Sequence, residues 1–240
     1  MVSLVPSLTE SLADTGVLVG ATDWCTHPAD LDVTRVRGTK NPDVTAIVDL
    51  APDLVLANKE ENRELDVRRL REAGVPVWVT DMETVSQALT SLERMFTQAL
   101  VRDVPAWLSE AVRLWTGPVP APSSTVAIPI WRDPWMVVGS RTFTGDLVAR
   151  LGLRNAFADP AHNPRGDRYP KVELRDIDRD GIDLVLLPNE PYVFTSTDGP
   201  EAFTNVPTAL LSGRLLTWYG PSLVQAWHDL PRLLGRPGSA

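Results

Sequence analysis

The sequence predicts an α/β fold of two Rossmann-like lobes, each built on a parallel sheet, joined by a helical linker. Three observations carry this. Residues 2–80 alternate short apolar runs with amphipathic helical stretches, the β-α-β-α-β pattern of a parallel sheet with helices on its faces. Residues 84–115 then read as helix only, before the alternation returns from 125. Finally, Ala51-Pro-Asp-Leu-Val-Leu-Ala-Asn58 and Gly181-Ile-Asp-Leu-Val-Leu-Leu-Pro-Asn189 echo each other, both as helix, turn, buried strand and polar loop. The expected division is 1–83 for the first α/β lobe, 84–124 for the helical linker and connector, and 125–240 for the second lobe.

In order, residues 2–5 read as a buried strand and 8–15 as a helix, with Ser7 and Glu10 at capping-box spacing and Gly16 at its end. Residues 17–21 form a second short strand, 43–50 a helix, 53–57 a buried strand, 60–73 a helix closed by Gly74, and 75–80 a strand. Residues 84–100 make a long helix with Val85, Ala88, Leu89, Leu92, Met95 and Phe96 on one face. Asp103 can cap a further helix to Trp115, with Pro105 in its first turn. Gly117-Pro-Val-Pro-Ala-Pro-Ser-Ser124 is the connector. Strands are expected at 125–130, 136–138, 182–187 and 215–217, and helices at 145–151, 174–179 and 222–234, with a fraying tail from Arg236.

Composition narrows the function classes. The chain has 240 residues, 43% hydrophobic and 22% charged, the balance of a chain that folds around a core. A net charge of -8 opposes a general nucleic-acid binder, which needs a positive field. The single cysteine, Cys25, forbids an internal disulfide and a four-thiolate zinc site. No run of apolar residues is long enough to span a bilayer. The N-terminus shows no basic segment followed by an apolar one, so the sequence as written reads as cytoplasmic, or as extracytoplasmic if a leader has been trimmed.

Ligands of doubly wound sheets sit at the carboxyl ends of the strands, here in a cleft expected between the lobes. The loops following the strands carry Trp24, Trp131, Trp135 and Trp218 of the eight tryptophans, and Tyr192 and Tyr219 of the three tyrosines. Such aromatics give stiff contact area for a bulky ligand or close each lobe over its own core. Glu190 sits in the same loop as Tyr192; Arg132, Arg141, Arg165 and Arg168 are candidates to meet an acidic ligand, or surface charges. Cys25 and His27 are half of a metal site at most. Glu60-Glu61 read as a solvated helix start. There is no G-x-S-x-G elbow, P-loop, G-x-G-x-x-G or H-E-x-x-H, and no catalytic residue is assigned.

Val2-Ser-Leu-Val-Pro-Ser-Leu-Thr-Glu10, Val19-Gly-Ala-Thr-Asp-Trp-Cys-Thr-His-Pro28, Gly38-Thr-Lys-Asn-Pro-Asp43 and Pro52-Asp-Leu-Val-Leu-Ala-Asn58 resemble the class III solute-binding proteins, nearest the cobalamin-binding branch. Arg168-Tyr-Pro-Lys-Val172, Asp183-Leu-Val-Leu-Leu187 and Leu216-Thr-Trp-Tyr219 continue the likeness. The resemblance implies a binding protein for an ABC importer, with cobalamin, haem or a ferric siderophore as cargo, no intrinsic cofactor, a permease as partner and a monomeric state. It places a ring-packing aromatic at Trp24, a missing one at Asn58 with Lys59 beside it, and a second-lobe aromatic at Tyr169. Permease-docking glutamates fall on Glu64 and, in the second lobe, on Arg175, with Glu173 and Asp176 beside it. An arginine there repels permease arginines unless a neighbouring acid takes over. The alternatives are a binder of the same ligands without a permease, or an enzyme on the same scaffold.

Overall fold

The structure, a computed structural model, describes residues 1–235. The expected fraying from Arg236 lies outside the described residues. The chain divides into two compact units, one of Met1–Asp81 with Tyr219–Pro221, the other of Met82–Trp218 with the segment from Ser222.

In the first unit β1 (Val2–Ser3) runs into α1 (Pro6–Leu12), followed by β2 (Gly20–Ala21) and β3 (Thr34–Arg35). A hairpin, β4 (Arg37–Gly38) and β5 (Asn41–Pro42), leads to α2 (Val44–Asp49); β6 (Val55–Asn58), α3 (Glu64–Glu72) and β7 (Val77–Thr80) complete the unit. Among the described residues the sheet order is β3-β2-β1-β6-β7, all parallel, so the chain reverses its winding direction at β1. Val2, Leu4, Val55, Ile47, Leu70 and Val36 form its core, which is why the central strands are continuous apolar runs.

Several ends differ from the sequence expectation. Helix α1 starts at Pro6 with Val5 as N-cap, because proline occupies the first helical position without losing a needed N–H. Ser7 therefore lies inside the helix rather than capping it. Helix α3 starts at Glu64, not at 60, so Glu60 and Glu61 lie in the turn before it. Helix α2 matches, with the Asp43 carboxylate accepting from the Ala46 N–H at 3.1 Å.

The second unit opens on α4 (Val85–Arg94), which continues as a π-helical turn over Met95–Ala99; Arg94 and Val101 bracket this irregular stretch, Val101 with a left-handed φ of 52°. Helix α5 (Ala106–Trp115) follows, with Pro105 itself the N-cap and Asp103 outside it. The two helices are not a free-standing connector. The Trp115 indole N–H donates to the Leu223 carbonyl at 2.9 Å and its ring meets Trp227 edge-on at 5.1 Å. The Asp146 carboxylate caps α4 at the Val85 N–H, 2.8 Å away.

Beyond them come β8 (Ser124–Ala127), β9 (Pro129–Trp131), β10 (Met136–Val137), α6 (Phe143–Arg150), β11 (Leu153–Asn155), α7 (Leu174–Ile177), β12 (Leu184–Pro188), β13 (Thr208–Leu211), α8 (Gly213–Thr217) and α9 (Ser222–Leu233). Among the described residues the main sheet is β11-β8-β12-β13, all parallel, and β9 and β10 pair antiparallel. The strand expected at 215–217 is helix; the strand of that stretch is β13, which pairs with β12 from Thr208. No helix of the described residues is long and apolar enough to cross a membrane.

Candidate ligand-binding loops

In the first unit the loop after β2 presents Trp24, 66% exposed, beside Cys25, fully buried. The loop is held from below. Arg35 donates to the carbonyls of Thr22 (3.0 Å), Cys25 (2.9 Å) and Leu31 (3.2 Å), and the Asp23 N–H donates to Arg37. The indole rests over Gly38, where a Cβ would lie 3.3 Å from the Trp24 indole nitrogen and closer still to Asn41. Gly38 thus leaves room for a ring on the β4–β5 turn. Arg35 and Gly38 were not singled out from sequence; the Gly-Thr-Lys-Asn turn was the only signal for them.

The Cys25 thiol is pushed up by burial, with hydrogen bonds from Thr22 and Thr9 only partly opposing it. Its sulfur accepts from Thr9 at 2.9 Å and meets Thr22 at 3.2 Å. It is a packed thiol, poorly suited to be a thiolate ligand or nucleophile. His27 is exposed, and among the described residues no group of three or more His, Cys, Asp or Glu is placed to hold a metal.

Asn58 is buried, and its groups are spent inside the unit. Its N–H donates to Asn62 at 2.8 Å and its amide to Thr80 at 3.1 Å, while its carbonyl oxygen accepts from Glu60 at 2.8 Å. Asn62 in turn donates to the carbonyls of Leu4 and Thr39. Asn58 therefore shapes the turn after β6, and Lys59 points outward to Asp81 at 2.6 Å. Tyr219 is buried with its hydroxyl donating to Glu61 at 3.1 Å. Burial, and then the negative Glu61, hold this phenol well above 10.0.

In the second unit the aromatic residues separate. Trp135 and Trp218 are buried. Trp135 stacks on Phe194 at 6.0 Å and meets Phe203 edge-on, so it belongs to the core. The Trp218 N–H donates to Glu190 at 2.9 Å, which commits both side chains to each other. Trp131 at the end of β9 is 44% exposed, with its ring edge-on to Tyr192 at 5.6 Å. Tyr192 is fixed by a 2.7 Å hydrogen bond to Asp198. Arg132 is not free for a ligand: it is tied to Asp198 and Glu201 and lies over Trp135. Arg168 is bridged to Glu83 at 2.5 Å. Tyr169, exposed, lines a pocket of about 450 Å³ with His162, Asn163, Arg165 and Lys171. Of the docking candidates, Glu64 and Glu173 are exposed, and Glu173 and Asp176 close a capping box at the start of α7.

No protein-family model matches the chain. Among curated proteins, an uncharacterized ABC transporter substrate-binding lipoprotein of Bacillus subtilis is 28% identical over 175 residues, covering 66% of this chain and 55% of the relative. A vitamin B12-binding protein of Pectobacterium carotovorum is 25% identical over 170 residues, covering 66% and 62%. The chain thus spans less than two thirds of these relatives. Among solved structures, the periplasmic haem-binding protein BhuT with two haems bound superposes with a TM-score of 0.74 at 24% identity, covering 97% of this chain and 96% of that one. The periplasmic vitamin B12-binding protein BtuF of Vibrio cholerae gives 0.75 at 16% identity, covering 98% and 95%. The fold is that of the class III solute-binding proteins. The homologues and structural neighbours are substrate-binding proteins, and the resemblance seen in the sequence is to the same group. Within this fold the exposed aromatics sit on loops, Trp24 and Tyr169, or at a strand end, Trp131.

Proposed function

We propose that this chain is a solute-binding protein that captures a broad, ring-bearing metal chelate of the corrinoid or haem class and presents it to an ABC permease outside the cytoplasm. The observation that carries this is the sorting of aromatics. Trp24 and Tyr169 remain exposed on supported loops and Trp131 at the end of β9, while Trp115, Trp135 and Trp218 are buried. Exposed aromatics with fixed backbones give a flat ligand contact area at little entropic cost. Trp24, Trp131 and Tyr169 are thus the proposed ring contacts, with Tyr192 bracing Trp131. Trp135, Trp218, Glu190, Asn58, Arg132 and Tyr219 serve the scaffold, and Lys59 lies at the edge of the first unit's loops. Glu64 and Glu173 are the proposed permease contacts. The relatives' names and the shared fold support the class; the choice between corrinoid and haem is open to titration.

The test is quenching of tryptophan fluorescence on titration with cobalamin, haem and ferric siderophores. Saturation at micromolar or tighter affinity by cobalamin or haem supports the reading; saturation by a siderophore alone keeps the binding role and overturns the ligand class. A flat response to all three overturns it.

A further inference from the structure

Most arginines of the second unit are spent on partners, whereas Arg141, Arg165 and Arg175 make no side-chain hydrogen bond or ion pair with any described residue, and of these three only Arg165 lines the pocket beside Tyr169. Arg132 is tied to Asp198 and Glu201, Arg150 to Asp146, Arg154 to Thr125, Arg168 to Glu83 and Arg179 to His162. Arg165 and Lys171 are exposed and make no hydrogen bond or ion pair with any described residue, and both line the pocket of about 450 Å³ that holds Tyr169.

The walls of that pocket are built rather than incidental. The buried Asn163 amide donates to the carbonyls of Phe157 at 3.1 Å and Asp167 at 2.7 Å, and its oxygen accepts from the Asp167 N–H at 3.0 Å. The Gly139 N–H donates to the Arg168 carbonyl at 2.7 Å, and a Cβ at Gly139 would run into Asp167, Pro170 and Asn163. The backbone at Gly139, just after β10, is therefore pressed against the loop of residues 163–170 that forms the pocket wall. Asp167 contributes one carboxylate to the lining against the two cations. On a chain of net charge -8, this is a local excess of positive charge beside an exposed phenol ring.

Like charges confined to one pocket repel, and an incoming anion relieves them while gaining charge-assisted hydrogen bonds. We infer that this pocket takes a carboxylate carried at the edge of the planar ligand whose ring rests on Tyr169, and so selects an anionic chelate over a neutral one. The inference rests on the binding function proposed above and sharpens its ligand class.

The test compares haem, which carries two carboxylates, with its dimethyl ester, which carries none, and with cobalamin, whose ring edge bears neutral amides. Each is titrated by tryptophan quenching into the wild-type chain, the double variant Arg165→Ala/Lys171→Ala, and Arg113→Ala, a control that removes an exposed cation of α5 outside the pocket. The wild type should bind haem at least about tenfold more tightly than the ester, a gap that narrows with salt. The double variant should lose that gap, and Arg113→Ala should keep it. Equal affinity for acid and ester, a gap that survives loss of both cations, or preference for cobalamin overturns this inference while leaving the binding function standing. Failure of every ligand to quench the wild type overturns the binding function and this inference with it.

Discussion

Trp24 and Trp135 are the same residue type with opposite work. Trp24 leaves two thirds of its surface to solvent above Gly38, so Trp24→Ala should leave the urea midpoint almost unmoved, within about 0.5 kcal/mol. If it is a ring contact, the same substitution weakens ligand binding by about 1–3 kcal/mol in titration. Trp135 is packed between Phe194 and Phe203, and Trp135→Ala should cost about 3–5 kcal/mol in the urea-unfolding free energy. Equal effects of the two substitutions on stability would contradict this division.

At the scale of elements, support comes from short-range fittings rather than long strands. The loop after β2 is stapled by Arg35, the turn after β6 by Asn58 and Asn62, and residues 163–168 by Asn163 and the absence of a side chain at Gly139. Gly139→Ala should destabilise by about 1–3 kcal/mol, because the nearest obstacle is a carbonyl oxygen and cannot swing aside. A thermal melt reads the loss; the isolated control Gly117→Ala, with open space around it, should show none of it.

Over the whole molecule, stability should respond at both ends of the pH scale. Burial pushes the Asp178 carboxyl up, but the N–H groups of Thr204, Val206 and Asn205 together hold it below its ordinary 3.8. Asp198 is held down first by the Tyr192 hydroxyl and Glu201 first by Arg132. Depressed carboxyls contribute stability above their unfolded values that is lost as pH falls through the folded ones. The second unit should therefore weaken below about pH 4, and Asp178→Asn should flatten that limb of the urea-unfolding profile. Tyr219 in the first unit is raised well above 10.0. A tyrosine that keeps its proton when folded and loses it when unfolded costs stability as pH rises past the unfolded value, so an alkaline limb should begin near pH 10 and diminish in Tyr219→Phe. An alkaline limb unchanged in that variant would remove the assignment.

The parallel sheets and the order of most elements were legible in the sequence, because short apolar runs such as 53–57 and 182–187, with proline and glycine marking their ends, read as buried strands. The resemblance to solute-binding proteins was legible too, in contiguous segments such as residues 19–28. What the sequence could not decide was which side chains remain exposed. Trp131 and Trp135 are four residues apart across the β9–β10 turn, yet one meets solvent and the other Phe194. Arg132 and Arg165 read alike until Asp198 and Glu201, distant in the chain, claim the first and no described residue claims the second. The strand at Thr208–Leu211 was missed for the same reason: its pairing with β12 fixes it, whereas its alternation is weak. Local periodicity fixes which segments are buried, but burial of a single ring and pairing of a single charge are settled by long-range contacts, and only the tertiary structure supplies those.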